Sequence, residues 1–473
     1  MQQQFCSHRR QPSPPSAAAA PLHARRRILY HPPMPSHAID WSAFADEAVD
    51  LLCRFIRVDT SNPPGNERLA CDFLGDILRR EGIPFELYDA GNDRVSLRAV
   101  LPGDGSKRPF MLLNHTDVVP VEREFWDDDP FGGAIRDGYI WGRGALDMKG
   151  LGIAQLMTFL TLRRLGLPLA RDVVFFAQAD EEAGSEYGMR FILREHPETM
   201  DAEYIINEGG AATTELFGVE RPVYSIAVAE KGPLWLRLVA EGMPGHGSVP
   251  HDDNALDRLV RALARIQQWE RPLTVSPVLE EYFARLARAG IYRGDPTPQG
   301  LAARAAEDPR IRAMLTNTIS TTTARAGIKH NVIPARAEAT LDIRLLPGVD
   351  PAEFQSELER VIDDPRVRIE QVHVRSSDTS PYDTELFRCI EQVIHEFTED
   401  AVVVPGMTLG FTDSAETRNR GIISYGFSAG LTTPEVARGV HGHNERVSIE
   451  AFTLTCRLLW EVTHRMCVRE PGA

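Results

Sequence analysis

Lysine is almost missing from this 473-residue chain. Of 52 basic residues only Lys107, Lys149, Lys231 and Lys329 are lysines, a bias that reflects a GC-rich coding background. The 67 acids outnumber the bases, and the formal charge of −15 excludes a nucleic-acid partner, whose affinity would come from neutralising phosphates. No apolar run reaches the ~18 residues of a membrane span, so no membrane partner is expected. The six cysteines, Cys6, Cys53, Cys71, Cys389, Cys456 and Cys467, form no CxxC pair, and three fall in apolar helical patterns where a reduced thiol packs as a small hydrophobe. This predicts a reducing compartment, the cytoplasm, and no disulfide framework. A secretory signal is lacking too. Residues 1–37 are rich in Pro, Ala and Arg without a sustained apolar stretch, and Arg9 and Arg10 are not followed by the one a twin-arginine signal needs. They are read as a disordered tail or an over-long start, with Met34 as an alternative initiator.

What is present suffices for two cores. Hydrophobic residues make up 43% and charged residues 25%, the balance of a soluble globular chain, and the length favours two domains. From Trp41 to about Val223, the runs VSLRAVL, RPFMLLNHTDVV, DVVFFAQAD and AEYIINE alternate with segments of helical period, KGLGIAQLMTFLTLRRLG and SEYGMRFILREH. The expected fold class is α/β with a mainly parallel central sheet. Functional groups in such sheets gather beyond the carboxyl ends of the strands. Here three strands end in NHTD, ADEE and NEGG, placing His115, Asp117, Glu181, Glu182 and Glu208 along one edge.

The rhythm then changes. A strand (VYSIAVAEKGPLWLRLVAEG), a helix from Asn254 to Trp269, an irregular helical insert to Asn317, two strands (TISTTTARAG, ARAEATLDIRLLPG), a helix (PAEFQSELERVI) and a strand (VRIEQVHVRS) follow. Without the insert this is β-α-β-β-α-β, an α+β ferredoxin-like order. The chain is therefore read as a catalytic domain of residues 38–223 and 377–473, with residues 224–376 inserted as a second domain.

Five motifs, NHTDVVP, GRGALDMKG, ADEEAG, NEGG and VHGHNER, each bring one or two ligand-type side chains to a turn. Histidine and carboxylate without thiolate suit zinc, with cobalt or manganese as substitutes. Singly, each has a structural reading: a surface pair, a solvated turn, or Asp147 as cap of the helix that begins near Lys149. Their placement at strand ends and loops of one α/β domain favours a shared metal site. Glu181 and Glu182, as neighbours on an extended backbone, would point different ways, letting one bind metal while the other faces a water. GRGALDMKG matches neither GxGxxG nor a P-loop, which sets aside a nucleotide-binding enzyme.

The ordered set resembles peptidase family M-20 of metallohydrolases, the group of aminoacylase-1, succinyl-diaminopimelate desuccinylase, carboxypeptidase S and N-acyl amino acid hydrolases. The resemblance runs from VDTSNPPGNE near Asp59 to the final helix. It implies a zinc-peptidase-like catalytic domain holding two Zn2+ per subunit, one on His115 and Glu208, the other on Glu182 and His441, with Asp147 bridging. Asp117 would hold the second nitrogen of His115, and Glu181 would be the general base. His443 takes a variable position and is read as a surface or substrate-rim residue. The inserted domain becomes a lid and dimerisation domain, through which His246 would reach the active site of a homodimer mate and stabilise the oxyanion. Asn331 and Arg344 would contact the substrate, the arginine gripping its carboxylate, and Thr412 in GFTDSAE would approach it.

Three departures from the family pattern, Gly247, Asn207 and His330, remove neither a ligand nor the base. They bear on substrate preference. The expected function is cleavage of an amide or peptide bond in a small carboxylate-bearing substrate, by a metallopeptidase of exopeptidase, dipeptidase or carboxypeptidase type. N-acyl amino acid deacylation is the alternative, and a non-catalytic module on the same fold is a remote one.

Overall fold

The strands Phe110–His115, Val173–Gln178 and Tyr204–Asn207 are buried along their whole length, as expected of a sheet covered on both faces. In the computed structural model, which describes residues 39–469, they lie side by side and parallel in a ten-stranded sheet. Ile423–Gly426 continues the parallel stretch beside Tyr204–Asn207. Val95–Leu101 runs antiparallel on the other flank. The expected N-terminal tail lies outside the described residues.

One face of this sheet packs on the helices Trp41–Ile56, Lys149–Leu165 and Ile449–Cys467. Residues 149–162 of the second are all buried, because the other two helices cover its outer side. That helix ends at Gly166, whose φ of 59° supplies the left-handed cap a side chain would resist. The opposite face carries Met189, Ile192 and Leu193 against Met111, Leu113, Val174 and Phe176. Each buried Leu or Phe contributes roughly 1.5–3 kcal/mol of transfer free energy, so the strand ends are held by a rigid base.

A second, four-stranded sheet is antiparallel throughout, in the order Thr318–Ala326, Arg336–Leu345, Gly232–Glu241, Val367–Val374. The helices Ala255–Gln268 and Pro351–Ile362 pack on one of its faces. Two features differ from the sequence expectation. The run VYSIAVAEKGPLWLRLVAEG is not one strand: Val219–Glu230 belongs to the large sheet and Gly232–Glu241 to the small one. The break falls at Lys231, whose buried ammonium donates to Ala313 O, Thr316 O and Thr318 Oγ1 at 2.8–3.1 Å. The helical insert, in turn, sets Leu279, Phe283 and Leu286 against Val223, Val402 and Val404 of the large sheet, not against the small one.

Candidate metal centre

Parallel pairing brings three motif-bearing strand ends together. His115 closes Phe110–His115, Glu181 and Glu182 follow Val173–Gln178, and Glu208 follows Tyr204–Asn207. Asp147 enters from the loop before the Lys149–Leu165 helix, and His441 from the loop before the final helix. Asp147 does not cap its helix; the capping position is Met148 and no side chain serves there.

The Asp147 carboxylate stands between two imidazoles. Its Oδ1 is 3.3 Å from His115 Nε2, and its Oδ2 is 3.1 Å from His441 Nε2. Glu208 Oε1 approaches His115 Nε2 at 3.4 Å, and Glu182 Oε2 approaches His441 Nε2 at 3.1 Å. Ligand atoms of His115, Asp147 and Glu182, and again of His115, Glu181 and Glu208, lie within 4.8 Å of one another. The two groups share His115, and Asp147 extends the first of them to His441.

The electrostatics of this group call for cations. Burial pushes the Glu182 carboxyl up to about 7 and the Glu208 carboxyl up to about 8, with Asp147 adding to both. Glu181, buried beside Glu208, is pushed well above the carboxylate range. Burial works against a charged His115, but Glu208, Asp117 and Asp147 outweigh it; hydrogen bonds to Asp147 and Glu182 raise His441 to about 10. Burial would raise Asp147 as well, yet the two histidines hold it below its ordinary value. Glu181 Oε1 and Glu182 Oε1 have no hydrogen-bond partner although both are buried. Orphaned carboxyl oxygens beside carboxyl groups that approach histidine nitrogens make up the donor set of a divalent-metal site, and the residues present fit one.

The Glu181–Glu182 pair sits differently from the expected extended geometry. Both residues lie in a tight 3-10 turn, Glu181–Ala183, entered through Asp180 at φ 70° and left through Gly184 at φ 104°. Turn curvature, not strand alternation, separates the two carboxylates. Asp180 braces the turn, accepting from Asn62 Nδ2 (3.0 Å), from Tyr187 N (2.8 Å) and from the buried Arg94 guanidinium. Asp117 supports it too: Oδ1 accepts from Glu181 N and Oδ2 from Glu182 N, each at 3.1 Å. The nearer partner of His115 Nδ1 is therefore the Asp117 main-chain oxygen at 3.0 Å, with the carboxylate at 3.4 Å.

The remaining sequence candidates lie farther out. Thr412 lines the cleft but is fully engaged, its N–H and hydroxyl donating to Glu230 at 2.8 Å. Arg344 pairs with Asp342 through Nε (2.7 Å) and Nη2 (3.1 Å), and its guanidinium lies over Trp235 and Phe411 at the cleft edge. His246 and Asn331 are exposed neighbours on paired segments, Gly245–His246 with Val332–Ile333. The His246 ring bonds Ser248 N and Oγ, and among the described residues it makes no hydrogen bond or ion pair with the carboxylate–histidine group. His443 also stands apart, 3.8 Å from Glu122.

Sequence reasoning missed Glu445. Its buried carboxylate accepts from Leu146 N (2.7 Å), Asp147 N (3.1 Å), Gly144 N (3.0 Å) and Arg143 Nη1 (2.7 Å). Arg143 Nη2 also reaches Gly442 O at 2.9 Å. One ion pair thus clamps the Asp147 loop to the His441 loop. The signal lay in the motifs GRGALDMKG and VHGHNER, which carry opposite charges beside their ligand-type residues.

Residues 111–464 match peptidase family M20/M25/M40. The chain is 31% identical over 370 residues to the N-fatty-acyl-amino acid synthase/hydrolase PM20D1 of Xenopus tropicalis, covering 74% of this chain and 71% of that protein. It is 27% identical over 418 residues to mouse (Mus musculus) aminoacylase-1, covering 86% and 91%. In fold it is similar to the M20 family metallo-carboxypeptidase Sso-CP2 of Sulfolobus solfataricus, with a TM-score of 0.70 at 19% identity over 88% of this chain and 98% of that one. Family match, relatives and a histidine–carboxylate cleft at the strand ends agree: the chain belongs to peptidase family M20/M25/M40 and is a hydrolase acting on amide bonds.

Proposed function

We propose that the chain hydrolyses the amide bond of N-acyl amino acids at a two-zinc centre. One observation carries the acyl reading. A cavity of about 370 Å3 is lined by Asp147, Glu208 and His441 and by Leu151, Ala212 and Phe452, with no other charged side chain in its lining. A peptide's ammonium group would be desolvated there without a partner, whereas an alkyl chain gains about 0.8 kcal/mol per buried CH2. The names of the PM20D1 and aminoacylase-1 relatives point the same way.

In this reading His115 and Glu208 would hold one metal and Glu182 and His441 the other, with the Asp147 carboxylate available to both from its place between the two imidazoles. Bound ions would polarise the scissile carbonyl and acidify a water. Glu181, with its unpartnered Oε1 beside Glu208 and His115, takes the proton from the attacking water and passes it to the leaving nitrogen as the C–N bond breaks. Glu445 and Asp117 hold the ligand-bearing loops still. Arg344, at the cleft edge, receives the substrate carboxylate, and the loop of Phe411 and Thr412 closes that side.

The exposure of His246 and Asn331 supports a homodimer through the four-stranded unit, in which each copy completes the other's site. Mixing His246→Ala with Glu181→Gln protein should then regain activity in heterodimers. No recovery after confirmed subunit exchange would point to sites complete in one chain. Among the described residues Cys53, Cys71, Cys389, Cys456 and Cys467 are unpaired, which supports a reducing compartment, and no helix is long and apolar enough to cross a membrane.

An acyl-length series tests the substrate reading. kcat/KM should rise from N-acetyl to N-octanoyl amino acids and exceed that for dipeptides. Preference for dipeptides, with no gain along the series, would return the enzyme to the peptidase reading.

A further inference from the structure

Two crossings join the small sheet to the large one, at Lys231 and at Arg375, and they run side by side, with Arg375 N–H donating to Pro233 O at 2.9 Å. Around them lie buried charges that the chemistry above does not use: Glu230, Arg375, Asp413 and Arg418. Arg418 and Thr412 satisfy Glu230, Arg418 Nη1 at 2.7 Å. Arg375 has a different set of partners. Its side chain is 1% exposed; Nη1 donates to Thr412 O (2.9 Å) and Nη2 to Gly184 O (3.1 Å). Asp413 lies 3.8 Å and Glu416 3.6 Å away, and the guanidinium covers the Phe411 ring.

Both carbonyls belong to the active site. Gly184 closes the turn that carries Glu181 and Glu182, and Thr412 follows Phe411, a wall of the cavity. A second contact from the same edge strand reaches the same turn: the His373 ring packs on Gly184 so closely that a methyl group there would stand 2.7 Å from His373 Cε1. The turn is therefore held at its start by Asp117 from the large sheet and at its end by residues leaving the small one.

We propose that Arg375 is a positioning residue that ties the small sheet to both halves of the active site, fixing the acid turn through Gly184 and the cavity wall through Thr412. This rests on the reading of Glu182 as a metal ligand. A rigid planar fork places one N–H on each of the two carbonyls, Nη1 on Thr412 O and Nη2 on Gly184 O; a lysine ammonium is a compact point donor and does not reproduce that spacing. Any swing of the small sheet about its crossings acts on the acid turn through the same guanidinium.

Titration of metal-free protein with Co2+ tests this. Arg375→Lys should weaken Co2+ binding by about tenfold or more, as loss of a partner that orients a ligand does, with the thermal midpoint of the metal-free protein little changed. In turnover, kcat should fall and KM for the octanoyl substrate should rise together, because turn and wall both move; a merely structural role would lower the active fraction and leave KM alone. If Arg375→Lys does not fold, Arg375→Gln, which can serve one carbonyl without a buried charge, is judged by the same criteria. A folded variant with Co2+ affinity and KM within twofold of the parent overturns the inference alone. A parent that binds no Co2+ overturns the metal reading, and this inference with it.

Discussion

Glu445→Gln separates support from chemistry, because Glu445 touches neither substrate nor the histidine nitrogens. The carboxylate accepts four N–H groups, two at each oxygen. Glutamine keeps the shape but must turn its NH2 either toward Leu146 and Asp147 or toward Gly144 and Arg143, so donors meet donors on one side. It also leaves the Arg143 guanidinium buried without its counter-charge. Breaking one partner of a buried pair costs about 3–5 kcal/mol. The loop so loosened carries Asp147 and is clamped to that of His441, so metal affinity should fall about 10–100-fold. Denaturant unfolding of the metal-free protein reads the first number, and zinc titration against a competing chelator reads the second. Stability within about 1 kcal/mol of the parent, together with affinity within twofold, would refute the clamp.

Three further outcomes follow from the same geometry. Ala212→Phe places a ring in the cavity, and should lower kcat/KM for N-octanoyl substrates by about tenfold or more while sparing N-acetyl ones; equal loss on both would argue against an acyl site. Chelation should abolish activity and lower the thermal midpoint, since Glu181, Glu182 and Glu208 are left to repel one another, and Zn2+ or Co2+ should restore both; saturation at ~100 Kd is worth about 2.7 kcal/mol. Burial, with Arg375, Arg190 and Arg344 nearby, holds His373 down at about 4. Between about pH 6.5 and 4 the unfolded chain therefore binds one proton more than the folded one, and stability is lost as pH falls through that window. His373→Phe should flatten this part of the unfolding midpoint's pH dependence, and an unchanged slope would contradict a half-buried neutral ring.

The parallel core was legible because strands covered on both faces must be apolar throughout, and in such a sheet the candidate site residues stand at the ends of those runs, as His115, Glu182 and Glu208 do. What stayed hidden was support at a distance. Glu445 and Arg375 act on main-chain groups of loops remote in sequence, and no local pattern reveals which N–H or carbonyl a loop leaves unpaired. The insert shows a similar limit: Leu279, Phe283 and Leu286 form an apolar helical face that reads the same whichever sheet it covers. The turn at Glu181 was half visible, since Gly184 signalled it, but the left-handed Asp180 did not.

The central claim is that Glu181 moves the proton while the surrounding residues hold metal. Glu181→Gln removes the base and none of the ligands. Metal content measured beside turnover of an N-acyl amino acid decides it: the variant should retain the parent's zinc and lose at least about 100-fold in kcat. Turnover near the parent's, at the same zinc content, would contradict the account.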